Sequence, residues 1–117
     1  MNQEEKDLLL KDLSARLPYG VKCSCPASKI DGTLEVISMD RVTLRSDDSL
    51  WHSCVIAHVK PYLFPLSSMT EEVLEECDGS TFKEVIVPID WLNEHHIDYR
   101  GLIEKGLAID ATGLNIY

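Results

Sequence analysis

Residues 20–59 read GVKCSCPASKIDGTLEVISMDRVTLRSDDSLWHSCVIAHV, and this stretch decides the fold. Apolar and β-branched side chains alternate with polar ones in four runs, which is the pattern of half-buried strands. The runs are residues 21–25, 33–38, 42–45 and 51–59. Turn-forming residues separate them at 26–28, 31–32, 39–41 and 47–49. Because the connections are short, consecutive strands should pair antiparallel as a curled meander.

A helix is predicted before this sheet. Asn2 can cap its first turn, and Glu5 stands in the capping-box position three residues later. Leucines recur at helical spacing behind the cap and give the helix one apolar side. These leucines are Leu9, Leu10, Leu13 and Leu17. Pro18 should end the helix near Leu17.

The C-terminal half predicts an extended connector followed by short elements. Residues 60–68 hold two prolines and should pack across the domain in an extended form. A helix is predicted from 69 to about 77, a strand over 82–87, and a helix from 89 to about 96. Asp98 can cap a last helix over 99–105, which Gly106 would end. The fold class is therefore α+β in one domain, residues 1–117. It has an N-terminal helix, a curled antiparallel meander of about four to five strands, and two to three short C-terminal helices.

Composition and charge narrow the classes of function. The chain has 44% hydrophobic and 26% charged residues, which is ordinary for a globular protein. It contains no apolar run long enough to span a membrane and begins with an acidic segment, so we expect a cytoplasmic protein without a membrane partner. The net charge is −9, and residues 61–117 alone carry −8. This sign repels phosphate backbones, so nucleic acid is not expected as a partner.

The cysteines raise one metal hypothesis. Cys23 and Cys25 are separated by one residue, which is not the spacing of a zinc knuckle or a thioredoxin-like redox pair. In a strand, however, these two residues point to one face, as do His52 and Cys54 on another strand. If the two strands were neighbours, the four side chains could close a tetrahedral zinc site. The alternative is that the cysteines pack as small hydrophobic residues, and we expect no metal and no cofactor.

Several aromatic and basic residues form the candidate interaction or pocket residues, and none of them is assigned as catalytic. They are Tyr62, Phe64, Trp91, His95, His96, Tyr99 and Arg100. His95, His96 and Asp98 could form an acid/base cluster, but no nucleophile or phosphate loop accompanies them. The simpler interpretation is that Trp91 and His95 bury one helix face while His96 stays exposed. Arg100 would then make only a weak surface contact to an acidic neighbour.

Two blocks of sequence resemble a known family. Residues 60–72 (KPYLFPLSSMTEE) and 90–108 (DWLNEHHIDYRGLIEKGLA) resemble a family of small uncharacterised proteins of Bacteroides-type gut bacteria and their phages. Residues 11–20 (KDLSARLPYG) are similar to the same family. The resemblance implies a phage or mobile-element setting. It implies no activity, substrate or cofactor, and no residue role.

The leading hypothesis from the sequence is a non-enzymatic protein-interaction or accessory module, whose partner is another protein. It depends on the missing catalytic motifs and on the acidic C-terminal half. Two alternatives remain open at this point. One is a small metal-dependent or acid/base enzyme that uses the cysteine and histidine residues named above. The other is an acidic mimic of nucleic acid that occupies a basic protein.

Overall fold

The computed structural model describes residues 2–65 and 89–117, with side chains from residue 91 in the second range. These two ranges form an α+β fold with an N-terminal helix and a seven-stranded mixed sheet. The helix predicted at 69–77 and the strand predicted at 82–87 lie outside the described residues. The fold class predicted from the sequence is therefore confirmed, while several of its details differ.

Helix α1 spans Gln3–Arg16 and begins as the sequence predicts. The Asn2 side chain accepts a hydrogen bond from Glu5 N at 2.8 Å, and the Glu5 carboxylate accepts one from Asn2 N at 3.1 Å. This reciprocal pair satisfies two backbone donors that a helix start leaves free. Leu9 and Leu13 are fully buried on the apolar side of the helix. Pro18 lies in a 3-10 turn, Leu17–Tyr19, which ends the helix.

Seven strands and one further short helix follow α1. The strands are β1 (Lys22–Cys25), β2 (Ile30–Ser38), β3 (Arg41–Arg45), β4 (Trp51–Val55), β5 (Lys60–Pro65), β6 (Ile97–Asp98) and β7 (Ile109–Asp110); a 3-10 turn spans Ile56–His58 and helix α2 spans Ile89–Glu94. The sheet order is β4-β3-β2-β1-β5-β6, and β7 also pairs with β5. The first four strands form the predicted antiparallel meander, and β5 pairs antiparallel with β1.

The meander is strongly curled. Strands β1 and β4 are separated by two strands in the sheet, yet Cys25 of β1 and Cys54 of β4 are neighbours: burial and then the hydrogen bond with Cys25 raise the pKa of the Cys54 thiol. A flat sheet would hold these residues far apart, since neighbouring strands are about 4.8 Å apart. The register shift between Leu34 and Val36 marks a bulge in β2, and a bulge increases local twist and bending.

Two strand boundaries differ from the sequence prediction. Residues 31–32 are not a turn, because β2 already begins at Ile30 and Gly32 pairs with Cys23. Gly32 stands in the strand for a steric reason, because a Cβ on it would lie 2.8 Å from the backbone oxygen of Arg45. Strand β4 ends at Val55, and the apolar residues after it form the 3-10 turn.

The predicted connector is also different, since its first part is strand β5. Prolines at 61 and 65 indicated a connector, but a proline fits in a strand wherever its missing N–H is not needed by the ladder. Strand β5 runs parallel to both β6 and β7, so the sheet is mixed and not purely antiparallel. Phe64 N donates to His96 O and Leu63 O accepts from Ala111 N, so the two short strands flank opposite edges of β5.

Residues 89–117 contain one helix, α2, where a second short helix over 99–105 was also predicted. Residues 99–105 form turns instead of a helix. The carboxylate of Asp98 accepts hydrogen bonds from Leu102 N and Ile103 N, both at 2.9 Å, and Gly101 adopts a φ of 74°. A left-handed residue at this point breaks the helical path. Asp98 thus caps a turn.

The hydrophobic core lies between α1 and the concave side of the sheet. Its fully buried members come from the helix, the meander, β5 and the C-terminal turns: Leu9, Leu13, Val21, Cys23, Leu44, Ile56, Val59, Leu63 and Leu102. Neither helix in the described ranges has the length and apolar character that crossing a membrane requires.

Candidate functional site: the outer sheet face

The side of β2, β3 and β4 that faces away from the core is the most distinctive surface of the described protein. Buried residues such as Leu34, Val42 and Leu44 point inward, so their strand neighbours point outward. The cross-strand partners on this side form three rows: Thr33–Arg45–Trp51, Val36–Thr43–Ser53 and Ser38–Arg41–Val55. We call these three rows the outer sheet face.

Large apolar side chains are exposed on and beside this face. Trp51 is 59% exposed and Val36 is 45% exposed. Met39, at the β2–β3 turn, and Leu50, just before β4, are also exposed. Only two other large apolar residues in the described ranges, Leu114 and Tyr117, are exposed to this degree. Trp51 and Leu50 lie at one end of the face, Val36 in its middle row and Met39 at the opposite end. Scattered apolar residues need no explanation, but four spread along one sheet face indicate a contact surface.

The outer sheet face is locally basic although the protein is acidic. Arg45 Nε lies 2.7 Å from the Glu35 carboxylate, so this arginine is paired. Arg41 Nε donates to the hydroxyl of Ser53 at 3.0 Å and has no carboxylate within 4.0 Å among residues 2–65 and 91–117. The three rows carry two positive charges and the neighbouring Glu35 one negative charge, while the turns at the two ends of the rows carry Asp40, Asp47 and Asp48. An acidic side chain of a partner would pair with Arg41.

Strand β4 lies at the edge of the sheet beside this face. Within the described ranges it pairs with β3 on one side only. An edge strand offers backbone N–H and C=O groups to an added strand from another chain. The exposed tryptophan and the edge strand therefore belong to one continuous surface.

The structure places Tyr62 and Phe64, two of the predicted interaction residues, inside the fold. Tyr62 is 9% exposed, and its hydroxyl donates to Asp31 at 2.7 Å. Phe64 is half-buried, with its ring centroid 5.9 Å from that of Tyr117. Both belong to β5, which the sheet covers on both edges.

His95 and His96 occupy environments opposite to those expected. His95 is exposed and stacks on Trp91 with ring centroids 3.9 Å apart. His96 lies two residues beyond α2 with a φ of 60°, and its half-buried ring stacks on Tyr117 with ring centroids 3.7 Å apart. Burial, with smaller effects of Arg16 and His95, lowers the pKa of His96 to about 4. The two rings have separate partners, and Asp98 is occupied by backbone donors, so the structure does not bring the three into one acid/base cluster.

Tyr99 and Arg100 are partly exposed and join a polar cluster around the buried residues Asp12 and Arg16. Arg16 contacts Asp12 through Nε at 2.8 Å and Nη2 at 3.1 Å, and both side chains are fully buried. Arg100 Nε reaches the same carboxylate at 3.1 Å, and Arg100 Nη2 donates to Tyr99 at 3.0 Å. Tyr99 donates to Asn93 at 2.8 Å. The expected surface contact of Arg100 is thus a contact to a buried aspartate, which ties α1 to the C-terminal residues.

The four residues of the zinc hypothesis do not form a metal-binding group in the described structure, although Cys25 and Cys54 are neighbours in the core. Cys23, Cys25 and Cys54 are buried free thiols, while His52 Nε2 lies 3.2 Å from the hydroxyl of Ser46. Residues 2–65 and 89–117 hold no group of three or more His, Cys, Asp or Glu side chains placed to bind a metal ion. Burial raises the pKa of the Cys23 thiol, and burial together with Cys25 raises that of Cys54 to about 11. Protonated, buried thiols behave as packing residues.

The outer sheet face was missed from the sequence, although a signal was present. In the predicted run 51–59 the tryptophan stands first, two residues before a serine on the same strand face. Alternation alone shows which residues share a face, but it does not show which face the helix covers.

Comparison of the chain with protein-family models, with curated proteins and with solved structures found no match.

Proposed function

We propose that this protein is a non-enzymatic interaction module that binds another protein through the outer sheet face. The observation that carries the proposal is Trp51, a tryptophan 59% exposed on an edge strand. Tryptophan is enriched among the residues that dominate binding energy at protein interfaces. An exposed tryptophan beside arginines and small polar residues resembles the composition of such a contact.

The partner we propose presents an extended segment with acidic and apolar side chains. An extended segment can add to the open edge of β4 through backbone hydrogen bonds. Its apolar side chains would cover Trp51 and Val36, and its carboxylates would meet Arg41, which forms no ion pair within the described ranges. The net charge of −9 disfavours nucleic acid as the occupant.

The cellular setting is proposed from two further observations. Three cysteines are free thiols, which is usual for a protein in a reducing compartment such as the cytoplasm. The resemblance of residues 60–72 and 90–108 supports an accessory role for a phage or mobile element. Neither observation bears on the identity of the partner.

The test begins with capture from a native extract and ends with purified components. Wild type, Trp51→Ala, Arg41→Glu and the control Leu114→Ala, which removes an exposed apolar residue away from the face, are compared as bait. The captured protein is purified, and its dissociation constant is measured against each variant. We expect at least a tenfold loss for Trp51→Ala and Arg41→Glu, about 1.4 kcal/mol or more, and no change for the control.

Three outcomes would overturn the proposal. One is a partner that binds Trp51→Ala as tightly as wild type. Another is capture of nucleic acid in place of protein. The third is that every protein captured by wild type is also captured by Trp51→Ala and Arg41→Glu. The free energy of unfolding of Trp51→Ala should equal that of wild type within about 0.5 kcal/mol, because an exposed side chain contributes little to stability.

A further inference from the structure

A cleft of about 300 Å³ lies where β1, β2 and β5 meet the C-terminal residues. Its lining includes Lys22, Asp31, Thr33, Asp47, Tyr62 and Asn115. Thr33 also belongs to the outer sheet face, so the cleft borders that face without containing Trp51. Ligand sites in proteins have volumes of about 300–1,000 Å³, which places this cleft at the size of a small metabolite.

The wall of the cleft is held in place by Tyr117. Its hydroxyl accepts a hydrogen bond from Lys22 N at 2.9 Å and donates one to Tyr62 O at 2.7 Å. The phenol therefore joins the backbones of β1 and β5 just beyond their last direct pair, Cys23 with Pro61. Because Tyr117 is fixed at both strands, the preceding residues 115–116 form a positioned wall. A preformed cleft lowers the conformational cost of binding a ligand.

One carboxylate of the cleft is oriented by a buried phenol. The Tyr62 hydroxyl donates to Asp31 Oδ1 at 2.7 Å. Burial, followed by the hydrogen bond to Asp31, raises the pKa of Tyr62, so the phenol stays protonated and remains a donor. The second oxygen of Asp31 has no hydrogen-bond donor in the described ranges. Asp31 Oδ2 is therefore free to accept a hydrogen bond from a ligand, and Tyr62 holds the carboxylate in position.

The other charged residues of the cleft have no ionic partners among the described residues. Neither Asp47 nor Lys22 has an oppositely charged group within 4.0 Å in residues 2–65 and 91–117, where the ion pairs involve Asp12, Glu35 and three arginines. The cleft thus combines two carboxylates with one ammonium group. Charged groups gathered in a concave site without mutual pairing are available to a ligand.

We propose that this cleft binds a free basic amino acid, of the chemistry of arginine or lysine. Such a molecule carries two cationic groups and one carboxylate, which complements Asp31, Asp47 and Lys22 in number and sign. Charge-assisted hydrogen bonds of this kind fix orientation as well as affinity. The proposal is independent of the docking surface, because it uses none of Trp51, Val36 or Arg41.

The test is titration of the full chain with L-arginine and L-lysine, followed by calorimetry and by amide chemical shifts. Agmatine, which is arginine without its carboxylate, probes Lys22. We expect one site per chain, with shifts centred on Lys22, Thr33 and Tyr62. Agmatine should bind at least tenfold more weakly than arginine, because it lacks the carboxylate that would pair with the Lys22 ammonium group.

Three variants make the test specific. Asp47→Asn should weaken arginine at least tenfold, whereas the control Asp40→Asn, an exposed aspartate outside the cleft, should not change it. Lys22→Gln should remove the preference for arginine over agmatine, while its backbone N–H still reaches Tyr117. The proposal is overturned if neither amino acid gives a saturable signal up to about 10 mM, a free energy near −3 kcal/mol. It is also overturned if Asp47→Asn binds arginine like wild type. Trp51→Ala should bind arginine normally, which separates this result from the docking test.

Discussion

The carboxylate of Asp12 and the guanidinium of Arg16 form an ion pair from which solvent is fully excluded, with Arg16 Nε 2.8 Å from Asp12 Oδ2. The two residues are one turn apart on α1, and Arg16 Nη2 also donates to Ile97 O at 2.7 Å. The pair therefore joins the helix to the C-terminal strand β6. Arg100 shares the same carboxylate, so a single aspartate balances two cations.

Replacing Asp12 with leucine should destabilise the fold by about 3–5 kcal/mol, because it leaves a buried guanidinium without its counter-charge. The measurement is chemical denaturation followed by circular dichroism. The double variant Asp12→Leu with Arg16→Met should recover much of this loss, since both buried charges are then gone and Ile97 O still accepts from Tyr99 N. Asp7→Asn, on the exposed side of the helix, is the control. A double variant less stable than Asp12→Leu alone would contradict the argument.

Tyr117→Phe should lower the free energy of unfolding by about 1–2 kcal/mol. The change removes only the hydroxyl that bridges Lys22 N and Tyr62 O, and it keeps the ring against His96. Hydrogen exchange should show faster exchange at Lys22 N, which loses its acceptor. Tyr19→Phe is the matched control, because the Tyr19 hydroxyl makes no hydrogen bond to the described residues. Equal effects of the two substitutions would show that the bridge contributes nothing.

The elements that the sequence predicted well are those with local signals. The capping box of Asn2 and Glu5 joins residues only three apart, so it can be recognised from the local sequence. Alternation of apolar and polar residues identified the four strands of the meander. Strand β5 was missed because Pro61 and Pro65 usually indicate the end of a strand. Only the sheet order shows that the ladder needs no backbone N–H at these two positions. The short strands β6 and β7 pair with β5 across long sequence separations, which no local pattern encodes.

The candidate sites were harder to predict than the fold. The exposure of Trp51 and the burial of Tyr62 depend on which sheet face α1 covers. The alternation of side chains along a strand is the same whichever face is covered, so the sequence pattern does not decide it. The contact of Arg100 with Asp12 spans 88 residues, so it could not be read from either segment alone. Likewise, the cleft exists only because the C-terminal residues return to β1.

His96 should make the fold sensitive to mild acid. Its folded-state pKa of about 4 lies below the ordinary value of 6.5, because burial and the nearby Arg16 disfavour the charged ring. Between these pH values the unfolded chain takes up a proton that the folded protein excludes. The stability contributed by neutral His96 is therefore present above pH 6.5 and is lost as the pH falls toward 4.

The measurement is the free energy of unfolding at a series of pH values from 7.5 to 4. His96→Gln should flatten the dependence in the window between 6.5 and 4, because the new side chain does not titrate. His58→Gln replaces an exposed histidine and should leave the slope of wild type unchanged. A wild-type slope that persists in His96→Gln would assign the acid sensitivity to other groups.

Gly32→Ala should destabilise the protein by about 1–3 kcal/mol, the usual range for overpacking. The added Cβ would meet Arg45 O at 2.8 Å and the Leu44 Cβ at 3.2 Å, and a paired backbone cannot move away easily. In an open strand the same substitution would stabilise by about 0.4–1 kcal/mol, because alanine restricts the unfolded chain. The sign of the change is thus diagnostic. Ser38→Ala, at an exposed position of the same strand, should change stability by less than about 0.5 kcal/mol.

Cys23 and Cys54 should resist alkylation by iodoacetamide in the native protein. Both thiols are buried, and burial keeps them protonated, with the pKa of Cys54 raised to about 11 and that of Cys23 raised further. Only the thiolate attacks such reagents, so at pH 8 the reaction should proceed through unfolding. Peptide mass spectrometry after a timed reaction gives the modified fraction of each cysteine. Ser53→Cys places a thiol on the exposed side of the same strand and should react at the rate of a denatured cysteine. If Cys54 reacted as fast as this added thiol, strand β4 would have to open to solvent, and the curled sheet that brings Cys54 to Cys25 would not be the stable state.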